Sequence, residues 1–209
     1  MPLVRNAAGG APAYLGVAVV VGLVTGAVTQ LLQGILPAEV GSLANSITPW
    51  LAVAFAVGSR SRRPALAAIA GAITLLGAVV GYYWLVQVRF GYAPEIRGTV
   101  LLWIIAAVVG GPIFGLAGSW WRGDRPWLRA TAAALLGAAA IAEGAYLSRI
   151  ETVAAIAPAY IIGGLLVPIL LGRDREDRIR GLLLLVPCIA LGVAGFVATI
   201  ALNGLLVSL

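Results

Sequence analysis

The chain has no histidine, no lysine and a single cysteine, Cys188, and only 11% of its 209 residues are charged. Each shortage removes a class of chemistry. Without histidine there is no Ser–His or Cys–His pair and no H-E-x-x-H metal site. One cysteine excludes an internal disulfide, and with no histidine beside it the usual zinc, haem and iron–sulfur sites lack ligands. No cofactor is therefore expected. There is no G-x-x-x-x-G-K-[ST] loop for a nucleotide. The apolar stretches hold no pair of acids for an aspartyl dyad or a metal–diphosphate site. These absences predict a protein that is not an enzyme.

The scarcity of charge also excludes a soluble domain, which carries roughly 25% charged residues. With 61% apolar residues and a mean hydropathy of +1.02, this chain cannot cover a water-facing surface. Its composition is that of a chain solvated by lipid. The net charge of +6 would suggest nucleic acid in a soluble protein. Here the fourteen basic residues are all arginine and lie in short clusters between apolar runs. That is a topology signal, and no nucleic-acid partner is expected. The weight of Ala, Gly, Leu, Val and Arg suggests a GC-rich bacterial genome, and so a place in the bacterial cytoplasmic membrane.

A span needs about 20 apolar residues to cross about 30 Å of hydrocarbon. Seven runs qualify: Tyr14–Leu36, Ser42–Gly58, Ala65–Val86, Thr99–Gly118, Ala130–Leu147, Val153–Leu171 and Gly181–Val207. They are long and unalternating, and backbone groups in lipid must be paired within a segment, so helices are expected. The fold class is an all-α polytopic bundle of seven spans, in one domain covering residues 1–209.

If all seven cross, Arg5, Arg60, Arg62, Arg63, Arg122, Arg125, Arg129, Arg173, Arg175, Arg178 and Arg180 share one side. Arg89, Arg97 and Arg149 fall on the other. The positive-inside rule then puts the N-terminus in the cytoplasm. The second run is the weakest, since Ser42 to Pro49 is polar and proline-broken. As a re-entrant segment it would leave six spans and an outer N-terminus. Arg5 and the first run also resemble a signal peptide, but the run is too long and ends without a clear cleavage site.

A weak repeat with an offset near 62 residues links Pro64-Ala65-Leu66 to Pro126-Trp127-Leu128, and Gly81–Leu85 to Gly144–Leu147. The pairs Gly22/Gly26, Gly77/Gly81 and Gly111/Gly115 each place two glycines on one helix face, where helices approach closely. Pro112, Pro158, Pro168 and Pro187 are expected to kink their spans.

Polar and aromatic residues gather at one depth, the outer ends of the spans. They are Thr29, Gln30 and Gln33; Asn45, Ser46, Thr48 and Trp50; Tyr82, Tyr83, Trp84 and Gln87; Trp103; Glu143 and Tyr146; Tyr160; and Asn203. An aromatic belt would account for the rings, but not for Gln30, Asn45 and Glu143. Buried polar groups cost free energy unless paired or wet, so the layer predicts a cavity open to the outside. Glu143 is the one ionisable side chain well inside a span. A charge at a helix centre costs about 2.5–3.5 kcal/mol on insertion scales, and such residues mark proton relays, ion sites or ligand counter-charges. A carboxyl reaching the headgroups, held neutral, or paired with Arg89, Arg97 or Arg149 is the alternative.

Asn45–Trp50, the run Gly111–Gly118 with Trp121-Arg122, and Glu143-Gly144 together resemble an uncharacterised family of small, mostly actinobacterial multi-pass membrane proteins. More loosely, the size and outward polar layer are similar to substrate-binding subunits of energy-coupling-factor importers. That likeness implies a six-span fold and an energising partner.

The sequence thus predicts a binding or transport protein for a small solute or lipid-like molecule. Glu143 would supply charge or a proton site, Gln30, Gln33 and Asn45 hydrogen bonds, and Tyr82, Tyr83 and Trp84 walls. The expected partners are the lipid bilayer, a small-molecule ligand and a membrane or cytoplasmic subunit. A structural or assembly protein without ligand is the second reading, and an intramembrane enzyme the third.

Overall fold

The computed structural model describes residues 10–36, 41, 46–91 and 97–207. They form seven helices: α1 (Gly10–Ile35), α2 (Ile47–Gly58), α3 (Pro64–Phe90), α4 (Arg97–Arg122), α5 (Pro126–Leu147), α6 (Ala157–Leu171) and α7 (Arg175–Val207). A 3-10 turn, Ala154–Ile156, leads into α6. Six of the seven helices are long and apolar enough to cross a membrane, α6 together with the 3-10 turn that leads into it. The exception is α2, whose 12 residues rise about 18 Å at 1.5 Å each, short of the hydrocarbon thickness.

Local sequence explains the helix starts. Pro64 and Pro126 open α3 and α5 behind Arg63 and Arg125, both in extended conformation. A fixed φ and a missing N–H suit proline to that position. The two prolines of the 62-residue offset therefore mark equivalent starts. Pro158 belongs to the same class: it lies in the first turn of α6, where it breaks no hydrogen bond, and not in a kink as expected. Pro112, Pro168 and Pro187 do lie inside α4, α6 and α7. Beyond Phe90 the chain leaves α3 through Gly91 at φ 80°, a conformation glycine adopts without steric cost.

Glycines set the helix contacts. Gly22 and Gly26 of α1 face Thr74, Gly77, Ala78 and Tyr82 of α3. Gly111 and Gly115 of α4 face Ala67, Gly71 and Ala72 of α3. All three predicted glycine pairs thus lie in backbone-to-backbone contacts, as expected where lipid supplies no hydrophobic drive. A similar contact joins Gly137 of α5 to Gly164 of α6.

These contacts also fix direction. Gly22 meets Gly77 and Gly26 meets Tyr82, so α1 and α3 run parallel. In between, α2 runs antiparallel to α1, because Tyr14 reaches Val57 while Thr29 meets Trp50. The stretch between α1 and α3 therefore carries the chain from one end of the bundle back to the other, although α2 alone is short. Successive helices alternate from there. Arg60, Arg62, Arg63, Arg122, Arg125, Arg129, Arg173, Arg175, Arg178 and Arg180 gather at one end. Arg89, Arg97 and Arg149 lie at the other.

Helices α1–α4 pack as one group and α5–α7 as another, meeting mainly along α4 and α5. Alanine-rich α5 is the most buried of the six membrane-length helices. It is also the least apolar of the six. Small side chains let neighbours enclose it, and a helix shielded from lipid tolerates polarity. At the arginine-rich end the guanidinium of Arg129 binds both carboxylate oxygens of Asp177, at 2.9 and 3.0 Å, joining α5 to α7. Trp121 donates its indole N–H to the Leu171 carbonyl, and Arg173 donates to the Trp121 carbonyl, joining the two groups.

Candidate functional site

The arginine-poor end holds the polar layer. Its centre is the start of α2. Ser46 precedes that helix in extended conformation, yet its side chain makes no capping hydrogen bond. The cap comes from another helix. Glu143 of α5 accepts the Ile47 N–H on Oε1 and the Thr48 N–H on Oε2, each at 2.8 Å. Glu143 is 5% exposed. It lies four residues before the end of α5, about 6 Å below it, so α2 begins inside the bundle. A helix start carries unpaired N–H groups and partial positive charge. A carboxylate matches both, and each hydrogen bond to a charged group contributes about 1.5–3 kcal/mol.

Beside this cap is a cavity of about 250 Å³ lined by Ser46, Ile47, Trp50, Tyr82, Tyr83, Val86, Thr99 and Trp103. The lining follows helical spacing. Ser46 and Trp50, Tyr82 and Val86, and Thr99 and Trp103 are each four residues apart, one face apiece of α2, α3 and α4. The rings brace one another. Trp50 meets Tyr82 edge-on at 6.2 Å and Trp103 at 6.3 Å, and Tyr82 meets Tyr83 at 5.0 Å. From α1, Thr29 accepts the Trp50 indole N–H at 3.0 Å, and Gln33 accepts the Tyr82 hydroxyl at 2.7 Å. Four helices therefore hold the cavity walls in place.

Two hydroxyls at the α2 start lack partners. Ser46 Oγ and Thr48 Oγ1 are buried with no hydrogen bond among the described residues. Tyr160 of α6 lies near both Ser46 and Glu143 without completing a well-formed bond to the Ser46 hydroxyl. Buried polar groups are normally satisfied, and of these two unpaired hydroxyls that of Ser46 belongs to a residue of the cavity lining.

Some predicted residues meet here and others do not. Tyr82 and Tyr83 line the cavity, and Gln33 is bonded to Tyr82. Gln30 is buried on α1, 7% exposed, behind the wall. Glu143 sits behind Ile47 and is not itself part of the lining. Trp84, expected as a wall, is 61% exposed on the outer surface, because the helical turn carries it away from Tyr82 and Tyr83. Asn45 lies outside the described residues. Thr99, Ile47 and Val86 are lining residues that the sequence reading does not name as such. The four-residue step from Thr99 to Trp103 is the signal that could have found the first.

A second hollow, an apolar groove of about 560 Å³, runs between α4 and α7 over Leu135 and Ala139 of α5. It shares Ile47 with the cavity.

Seven helices, six of membrane length, with apolar faces outward and glycine-lined contacts inward, define an integral membrane protein of the multi-pass helical class. The chain belongs to a family of unknown function, DUF6518, which covers residues 5–202. No curated protein and no solved structure matches it.

Proposed function

We propose that the protein binds a small solute in the aromatic cavity, from the outer face of the bacterial cytoplasmic membrane, and serves its transport. The chain would cross seven times, with its arginine-rich end in the cytoplasm. The alternating helix directions and the ten arginines gathered at one end support that topology. One observation carries the binding reading: Ser46, a buried residue whose hydroxyl has no partner among the described residues, lines the cavity at a helix start inside the bundle. Transporters present helix N-termini inside the membrane to their substrates. An energising subunit would dock at the charged turn from Arg173 to Arg180.

Native mass spectrometry of the protein released from gentle detergent tests the binding reading. A retained small molecule that Ser46→Ala and Trp103→Ala both reduce would support it. A chain that carries only phospholipid, unchanged by either substitution, would count against it.

A structural or assembly role is the second reading. Both oxygens of Glu143 are already engaged, and they tie α5 to α2. That bond would then serve to join the two helix groups. Wild-type mass unaltered by any solute, with loss of a membrane complex on Glu143 substitution, would favour this reading.

A further inference from the structure

What the cavity's ligand carries can be read from the groups that wait for it, given the solute-binding reading above, on which this inference rests. We propose that the ligand is a small monocarboxylate, and that its carboxylate replaces Glu143 on the α2 N-terminus while Glu143 departs as the protonated acid.

The donor set is built for a carboxylate. The Ile47 and Thr48 N–H groups bind one oxygen each of a planar carboxylate, at equal distances of 2.8 Å. In the resting state the protein's own Glu143 occupies that seat. More donors are present than Glu143 uses. The hydroxyls of Ser46 and Thr48 flank the same pair of N–H groups and are unpaired. Ser46 and Ile47 line the cavity and Thr48 lies just behind them, so an arriving carboxylate meets the Ser46 and Ile47 side first and takes the Thr48 N–H as Glu143 leaves. Interrupted helices in transporters present such N-termini to the anionic group of the substrate. The rest of the lining, Trp50, Tyr82, Tyr83, Val86 and Trp103, suits an apolar body such as a short branched chain or one ring.

Charge decides the fate of Glu143. Among the described residues no arginine lines the cavity; the charge on α4 nearest to it is Arg97, at the start of that helix. Two carboxylates on one pair of N–H groups would repel strongly where water is excluded. One proton resolves the conflict: ligand carboxylate plus Glu143 carboxylate plus H⁺ gives bound ligand carboxylate plus neutral Glu143. The proton comes from the outer aqueous phase, and the charge of the site is unchanged. Tyr160 of α6, beside both Ser46 and Glu143, is the polar neighbour that receives the neutral acid. From α2 no titratable side chain faces Glu143. From α7 the nearest is Cys188, packed with Ile141. A ligand entering with one proton makes any movement across the membrane electroneutral.

The test is infrared difference spectroscopy on purified protein in lipid nanodiscs, using benzoate at a mildly acid pH where benzoate itself stays ionised. Added benzoate should produce a protonated-carboxyl stretch in the wild type that is missing in Glu143→Gln. Thermal-shift titration should show wild-type affinity rising on acidification, and Ser46→Ala weakening it by about tenfold, the cost of one hydrogen bond to a charged group. Benzoate that binds without a new protonated-carboxyl band overturns the proposal. So does wild-type affinity independent of pH, which can be read even if Glu143→Gln fails to fold. Benzyl alcohol and tetramethylammonium separate the two readings. If either binds in a Ser46-dependent way and benzoate does not, the carboxylate proposal falls while the cavity reading stands. If none of the three responds to Ser46→Ala, both fall.

Discussion

Glu143 Oε1 lies 2.8 Å from the backbone nitrogen of Ile47, 96 positions away in the chain. With the matching bond from Thr48 to Oε2, it turns an intramembrane acid into the cap of another helix. Removing the carboxylate leaves two inward N–H groups without an acceptor. Glu143→Ala should lower stability by about 2–4 kcal/mol, the loss of two charge-assisted bonds less what water recovers. Glu143→Gln keeps one acceptor and should cost less than half as much. Denaturation in detergent, followed by tryptophan fluorescence, compares the two. Equal stability of Glu143→Ala and wild type would mean that the cap does not hold α2 in place.

Glycine contacts make a second prediction. A methyl group at Gly26 would strike the Ala78 carbonyl, and one at Gly115 the Ala67 carbonyl. In an unhindered helix, Gly→Ala stabilises by about 0.5–1 kcal/mol. Gly26→Ala and Gly115→Ala should instead destabilise, because neither backbone can move aside without parting the helices. Gly163 of α6 has nothing within 4 Å of the added carbon, and Gly163→Ala should be neutral or stabilising. The ordering of the three midpoints is the readout. Uniform gains would show that α1, α3 and α4 are farther apart than described.

At the opposite end, Arg129 and Asp177 are 11% and 2% exposed. Breaking a buried pair from one side strands a charge and costs about 3–5 kcal/mol, whereas replacing both partners by apolar groups is often neutral. Asp177→Leu alone should therefore be far more damaging than Arg129→Met with Asp177→Leu. Thermal midpoints of the single and double variants decide this. A double variant as unstable as the single would assign Asp177 another partner.

The bundle was legible because lipid imposes one rule, that backbone groups pair within a segment, and long apolar runs obey it visibly. The glycine pairs were legible for a similar reason, since spacing of four residues means one helix face. Depth was legible too: Thr29, Trp50, Tyr82, Trp103 and Glu143 do share one end. What each residue does there was not. Trp84 stands two positions from Tyr82, and only the rotation of α3 decides that one faces lipid and the other the cavity. The role of Glu143 depends on α2 starting inside the bundle, which the polar stretch from Ser42 to Pro49 signals only as a weak span. The Arg129–Asp177 pair joins two turns whose arginines read alike as topology anchors.

Accessibility of Thr99 tests the central claim most directly. With Cys188 replaced by serine, Thr99→Cys puts the chain's only thiol on the cavity wall. A membrane-impermeant thiol reagent applied to intact cells should label it, and Trp103→Ala should speed the reaction by opening the cavity beside it. Labelling only after the cells are broken open, at a rate indifferent to Trp103, would contradict an outward-facing cavity at the start of α2.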